Sequence, residues 1–337
     1  MTSRELVFRT LDFTNYERIP RQLWVLPWAE IYEGDKLKKI KSEFPDDIIW
    51  DMPAVYVDKP KTYGNPYEIG TFCDEWGCEF TSIRRGYVGE VKKSLVSEEN
   101  WEDTDNVRFP EELLTLDINK INEYCANTEK FVVQTDFVRP FERMQFIRGT
   151  VELYMDIATY NKGMLRFLEK LHAFNCRIME IWAQTSVDAL FMMDDWGSQN
   201  SLLIDPKVWV NLFKPLYADY CAIARKHNKK IFMHSDGNTS AIIPHLIDIG
   251  VDAANLQIFC IGLDNIAPYK GEITFWGEID RQWILPFGSI QDVKQAVKGV
   301  YDTLWADGGC VAQCEFGPGA NPENVREVFS SWDSIMR

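Results

Sequence analysis

Short apolar runs alternate with longer amphipathic segments along most of the chain, and this alternation limits the possible folds more than any other feature. The runs are QLWVL (22–26), DIIW (47–50), KFVVQT (130–135), ALFMM (189–193), KIFMH (230–234), DAANLQ (252–257), ITFWGE (273–278) and CVAQC (310–314). Runs this short and this apolar suit strands buried on both faces, as in a parallel sheet. Between most of them lie segments of helical period, at 150–163, 164–185, 206–227, 239–249, 289–306 and 322–332. Eight strands separated in this way predict a (β/α)8 barrel formed by a single domain over residues 1–337.

Two regions stand outside the alternation. Residues 3–12 predict an N-terminal helical extension, because Thr2 and Glu5 have capping-box spacing and Leu6, Val7 and Leu11 share one face. Residues 52–128 contain YEIGTFCDEWGCEFTSIRRGYVGEVKKSL, which reads as antiparallel strands turning at glycines. This is expected to be a β-rich insertion packed beside the barrel mouth.

A net charge of −15 argues against nucleic acid, which needs a basic face. No apolar run is long enough to span a membrane, and the N-terminus has no apolar signal region, so a cytoplasmic address is expected. The eight cysteines include no CxxC pair, which disfavours a zinc ribbon or thioredoxin-like site.

Barrels place their working groups at the C-terminal ends of the strands. Those ends carry Asp136, Asp194, Asp195, His234, Asp236, Gln257, Glu278, Asp280, Cys314 and Glu315. His234, Asp236 and Cys314 form the sharpest subset, because imidazole, carboxylate and thiolate are all zinc ligands. The competing reading is a hydrogen-bonded His–Asp pair and a packing thiol. Asp194, Asp195 and Glu278 are candidate catalytic acids, since carboxyls crowded in a closed mouth raise one another's pKa. The competing reading has one of the adjacent aspartates capping the turn that follows, MMDDWGSQNS, and the other solvated. Asp136, Trp196, Gln199 and Gln257 are candidate substrate contacts, with packing the competing role for Trp196.

The sequence resembles the uroporphyrinogen decarboxylase superfamily, and within it the cobalamin-dependent methyltransferases. The matching pieces include SRELVFRTLDFTNYERIP, YEIGTFCDEWGCEF, FMMDDWGSQNSLLIDPKVWVNLFKP, IFMHSDGN, FWGEIDRQWILPFGSIQDVKQAV and QCEFGPGANPENVREVF, in order along nearly the whole chain. The resemblance implies a barrel with its site at the C-terminal mouth. It places His234 and Cys314 on two zinc-ligand positions, with Asp236 where the methyltransferases have cysteine. It further implies a corrinoid on a partner protein and a small methylated substrate. The decarboxylase itself binds many carboxylates through an arginine-rich N-terminal loop, which RIPRQLWVLPWAEIYEG does not reproduce. A metal-free lyase and a non-catalytic subunit that binds a corrinoid protein remain the alternatives.

Overall fold

The computed structural model describes residues 1–52 and 55–335. Among these residues the strands are β1 (Arg21–Val25), β2 (Ile48–Ile49), β3 (Gly70–Cys73), β4 (Glu79–Ser82), β5 (Glu90–Val91), β6 (Phe131–Val132), β7 (Ala189–Met193), β8 (Lys230–Ser235), β9 (Ala253–Leu256), β10 (Thr274–Gly277) and β11 (Cys310–Phe316). Six of them form one parallel sheet in the order β1-β11-β10-β9-β8-β7. The parallel pair β2–β6 fills the remaining arc. A hydrogen bond from Asp47 N–H to the Arg21 carbonyl (2.8 Å) ties the pair to β1, and a parallel bridge between Val133 and Ala189 ties it to β7. The eight apolar runs therefore form the eight staves of the barrel.

Strand alternation divides the barrel's side chains into two layers. Phe131, Val133, Phe191, Phe232, Trp276 and Val311 pack together inside the ring. Leu190, Ile231, Met233, Ala254, Ala312 and Cys314 face the surrounding helices in the larger cluster. Both layers are buried, which explains the near-continuous apolar runs.

The first helix, Ser3–Leu11, starts at the expected capping box, where Thr2 and Glu5 exchange hydrogen bonds. Its Val7 and Leu11 join the inner cluster. With Arg4 N–H bonded to the carbonyl of Glu129, just before β6, the helix seals the N-terminal end of the barrel. Within residues 52–128, β3, β4 and β5 form an antiparallel sheet. Phe72 and Phe80 from that sheet wall the cavity at the opposite, C-terminal end.

Candidate active site

The stretch His234-Ser235-Asp236-Gly237 sits where β8 runs out into the mouth. His234 has the inward parity of Phe232, and Ser235 points outward. The loop after β7 continues alongside it. Asp194 N–H bonds to the His234 carbonyl (3.1 Å), Trp196 N–H to the Ser235 hydroxyl (3.0 Å) and Gly197 N–H to the Asp236 carbonyl (3.0 Å). This close pairing requires two glycines. Gly237 has φ +78°, and a Cβ there would lie 2.2 Å from the Gly197 carbonyl oxygen. Only glycine meets both the left-handed conformation and the backbone approach.

The pairing brings Asp195 against Asp236. Asp195 Oδ1 accepts from the Asp236 N–H at 2.9 Å. His234 Nε2 lies 3.5 Å from Asp195 Oδ1 and 3.6 Å from Asp236 Oδ1. One donor atom from each of the three residues fits within a 4.8 Å span, the spacing of a metal-ligand group. On the far side of the ring, His234 Nδ1 and Asn255 Oδ1 are 2.6 Å apart. Asn255 can only accept through that oxygen, so Nδ1 carries the hydrogen and Nε2 is directed at the two carboxylates.

Burial opposes a charged His234. The hydrogen bond to Asp195 and the charges of Asp236 and Asp195 outweigh it and push the imidazole up to about 9. Burial would likewise raise Asp195, but the His234 hydrogen bond and charge hold it below the usual carboxylate range. Without an ion, then, the cluster binds a proton; a metal ion would displace that proton from Nε2.

The residues fit a metal. Asp236 Oδ1 is buried with no hydrogen-bond partner, although it lies on the same side as His234 Nε2 and Asp195 Oδ1. Asn255 supplies the outer hydrogen bond that orients a ligating imidazole. One nitrogen and two carboxylate oxygens make a harder donor set than one with thiolate, and they suit zinc or another first-row divalent ion. Cys314 is not in this group. It pairs in register with Leu23, is fully buried in the strand–helix layer, and its thiol is pushed well up, first by burial. Its neighbour Glu315, paired with Trp24, has the inward parity.

Arg281 organises the acids beyond this cluster. Its guanidinium bonds Asp236 and reaches Glu315 Oε2 at 2.5 Å, with Glu278 Oε1 at 3.6 Å. Glu278 is buried, and burial pushes it up to about 8 against the opposing charge of Arg281. It faces a side pocket of about 220 Å³, with Gln199 and Gln257 on its walls. Gln257 holds the β8 loop by accepting from the Gly237 N–H at 2.9 Å.

Other predicted residues lie elsewhere. Asp194 is fully buried and accepts from Phe141 N–H (3.0 Å), Glu142 N–H (2.7 Å) and the Tyr217 hydroxyl (2.5 Å). It therefore caps the helix Pro140–Arg148, whose own N-cap, Arg139, makes no side-chain cap bond. Trp196 stacks on Phe141 with ring centroids 4.1 Å apart and donates to Tyr217 at 2.9 Å, so it belongs to the core. Asp136 lines a small recess of about 80 Å³ beside Arg139, and burial pushes it up to about 7.

The main cavity, about 750 Å³, opens above His234, Asp195 and Asp236. Its walls are strongly aromatic and include Trp24, Trp50, Tyr67, Phe137 and Phe191. Trp24 lies 4.8 Å from His234, centroid to centroid. Sequence reading did not identify Asn255, Arg281's central position or this aromatic lining. Inward parity at Trp24 and Asn255 was the available signal.

A family model for uroporphyrinogen decarboxylase matches residues 77–335. The chain belongs to the uroporphyrinogen decarboxylase family. No curated protein matches it in sequence. Among solved structures, a methyltransferase from Methanosarcina mazei is similar with a TM-score of 0.71, covering 100% of both chains at 13% identity. At that identity the likeness is one of fold, and it agrees with the family's barrel architecture.

Proposed function

We propose that this family member is a metal-dependent methyltransferase, moving a methyl group between a small methylated compound and a corrinoid on a partner protein. The observation that carries the proposal is the cluster of Asp195, His234 and Asp236, with the orphaned Asp236 Oδ1, below an aromatic cavity of about 750 Å³. Family membership and the fold likeness to a methyltransferase support it.

A divalent ion in this cluster would act as a Lewis acid on the heteroatom that carries the methyl group. The protein's own contribution is positional and electrostatic. Asn255 aims His234 Nε2, and the paired loops hold Asp195 beside Asp236. Arg281 offsets the charge of Asp236 and Glu315. The aromatic walls give a substrate an apolar surface to pack on above the cluster. Glu278 keeps its proton up to about pH 8 and is the nearby carboxyl suited to exchange one.

Porphyrinogen decarboxylation is the disfavoured branch. Arg18 pairs with Asp47 and Arg21 with Asp333, and neither arginine lines the cavity. The test is to supply methylated ethers, thiols and amines with a Co(I) corrinoid and follow the spectrum. Methyl–cobalt product that depends on Asp195 and His234 supports the proposal. Turnover of uroporphyrinogen, with no methyl–cobalt product from any donor, would overturn it.

A further inference from the structure

Three guanidinium groups reach the wall of the main cavity, and two are already neutralised. Arg281 contacts Asp236, Glu315 and Glu278. Arg143 contacts Asp74 and, at 3.6 Å, Glu75. Among the described residues Arg139 has no carboxylate within ion-pair distance, and its guanidinium lies 5.1 Å over the Phe137 ring. The acids that feel its charge are Asp136 and Glu142, both raised by burial. Each also has a buried oxygen without a hydrogen-bond partner. Neither forms an ion pair with Arg139, and burial weakens the negative charge that each can set against it.

From Arg139 an unbroken path of rings leads to the ligand cluster. Phe137 meets Phe191 at 5.4 Å, Phe191 stacks on Trp50 at 5.6 Å, Trp50 meets Trp24 at 4.9 Å, and Trp24 meets His234 at 4.8 Å. The cavity thus has a cationic end, an aromatic floor and a metal-ligand end. A flat apolar body bearing one anionic group would match all of these features, and a planar carboxylate is the partner that a guanidinium fork binds best. A cationic amine gains nothing at the Arg139 end.

We propose that the substrate is an aryl carboxylate, seated with its carboxylate on Arg139 and its methyl-bearing end toward His234. The orientation rests on the methyl-transfer reading; binding through Arg139 does not.

Calorimetric titration with 4-methoxybenzoate, neutral 4-methoxytoluene and cationic 4-methoxybenzylamine separates the two questions, because no turnover is needed. The acid is expected to bind wild type at least about tenfold more tightly than either analogue, the range of a charge-assisted hydrogen-bonded pair. Arg139→Gln should remove that preference while leaving the neutral compound's affinity unchanged, which also shows that the cavity is intact. Arg139→Lys should restore part of it. Equal affinity of wild type for acid and neutral compound, no binding of the acid, or an acid preference that survives in Arg139→Gln would overturn the assignment. Failure of methyl transfer with intact acid binding would instead count against the reaction alone.

Discussion

Asp194 offers the sharpest test of how the cavity wall is held in place. Asp194→Ala removes the acceptor for two first-turn N–H groups of the helix Pro140–Arg148 and for the Tyr217 hydroxyl. The Phe141 and Tyr217 donors are buried and the Glu142 donor half-buried, and that helix carries Arg143 and Phe146 to the cavity. A buried donor left unmet costs at least about 1 kcal/mol, so the sum is about 3 kcal/mol, rising toward ~5 for a broken buried network. At an m-value of about 3 kcal/mol/M, the urea midpoint should fall by about 1 M. Asp194→Asn keeps one acceptor oxygen and should fall between the variant and wild type. Tryptophan fluorescence reports the transition, since Trp196 sits against the same network. A midpoint for Asp194→Ala within about 0.3 M of wild type would refute the capping role and return Asp194 to the candidate catalytic acids.

Three further outcomes follow from the same geometry. Asn255→Ala should weaken divalent-metal affinity about 10- to 100-fold, as loss of an outer-shell partner does, and chelator competition on the folded variant would measure it. Gly237→Ala should cost well over about 1 kcal/mol and lower metal affinity, because a methyl at φ +78° meets the Gly197 backbone; thermal unfolding and metal titration together would check it. Glu278 holds a proton when folded up to about 8, against an ordinary value of 4.5. Across that window the unfolded chain has released a proton the folded chain keeps, so stability falls as pH rises. Glu278→Gln should flatten this decline in urea midpoints measured between about pH 5 and 8.

The fold was legible because the barrel writes its period into the chain: short apolar runs, helical segments between them, and a capping box at Thr2 and Glu5. The glycine-rich segment within 52–128 likewise read as antiparallel strands. Helix Pro140–Arg148 is not legible, because its capping carboxylate, Asp194, lies 52 residues beyond Glu142, the first-turn residue whose N–H it accepts, and is reached only through folding. His234 and Asp236 stood out because a strand that ends in polar residues marks the mouth. The facing of Cys314 was not legible. Period-two alternation groups Cys310, Ala312 and Cys314 on one side, but both sides of a barrel strand are buried, so apolarity cannot tell inside from outside. Reading β11 as ending at 314, when it runs to Phe316, also hid the inward position of Glu315. Asp195 reads in the sequence as a proton-handling acid, because its approach to Asp236 depends on a long-range contact between Gly197 and Gly237. Arg281 lies in a loop, where no period predicts its direction.

Elemental analysis of protein purified without chelator tests the central claim most directly. Wild type and Cys314→Ala should each carry about one divalent metal ion per chain, whereas Asp195→Ala and His234→Ala, still folded, should carry essentially none. Metal-free wild type, or metal lost in Cys314→Ala but kept in Asp195→Ala, would contradict the account.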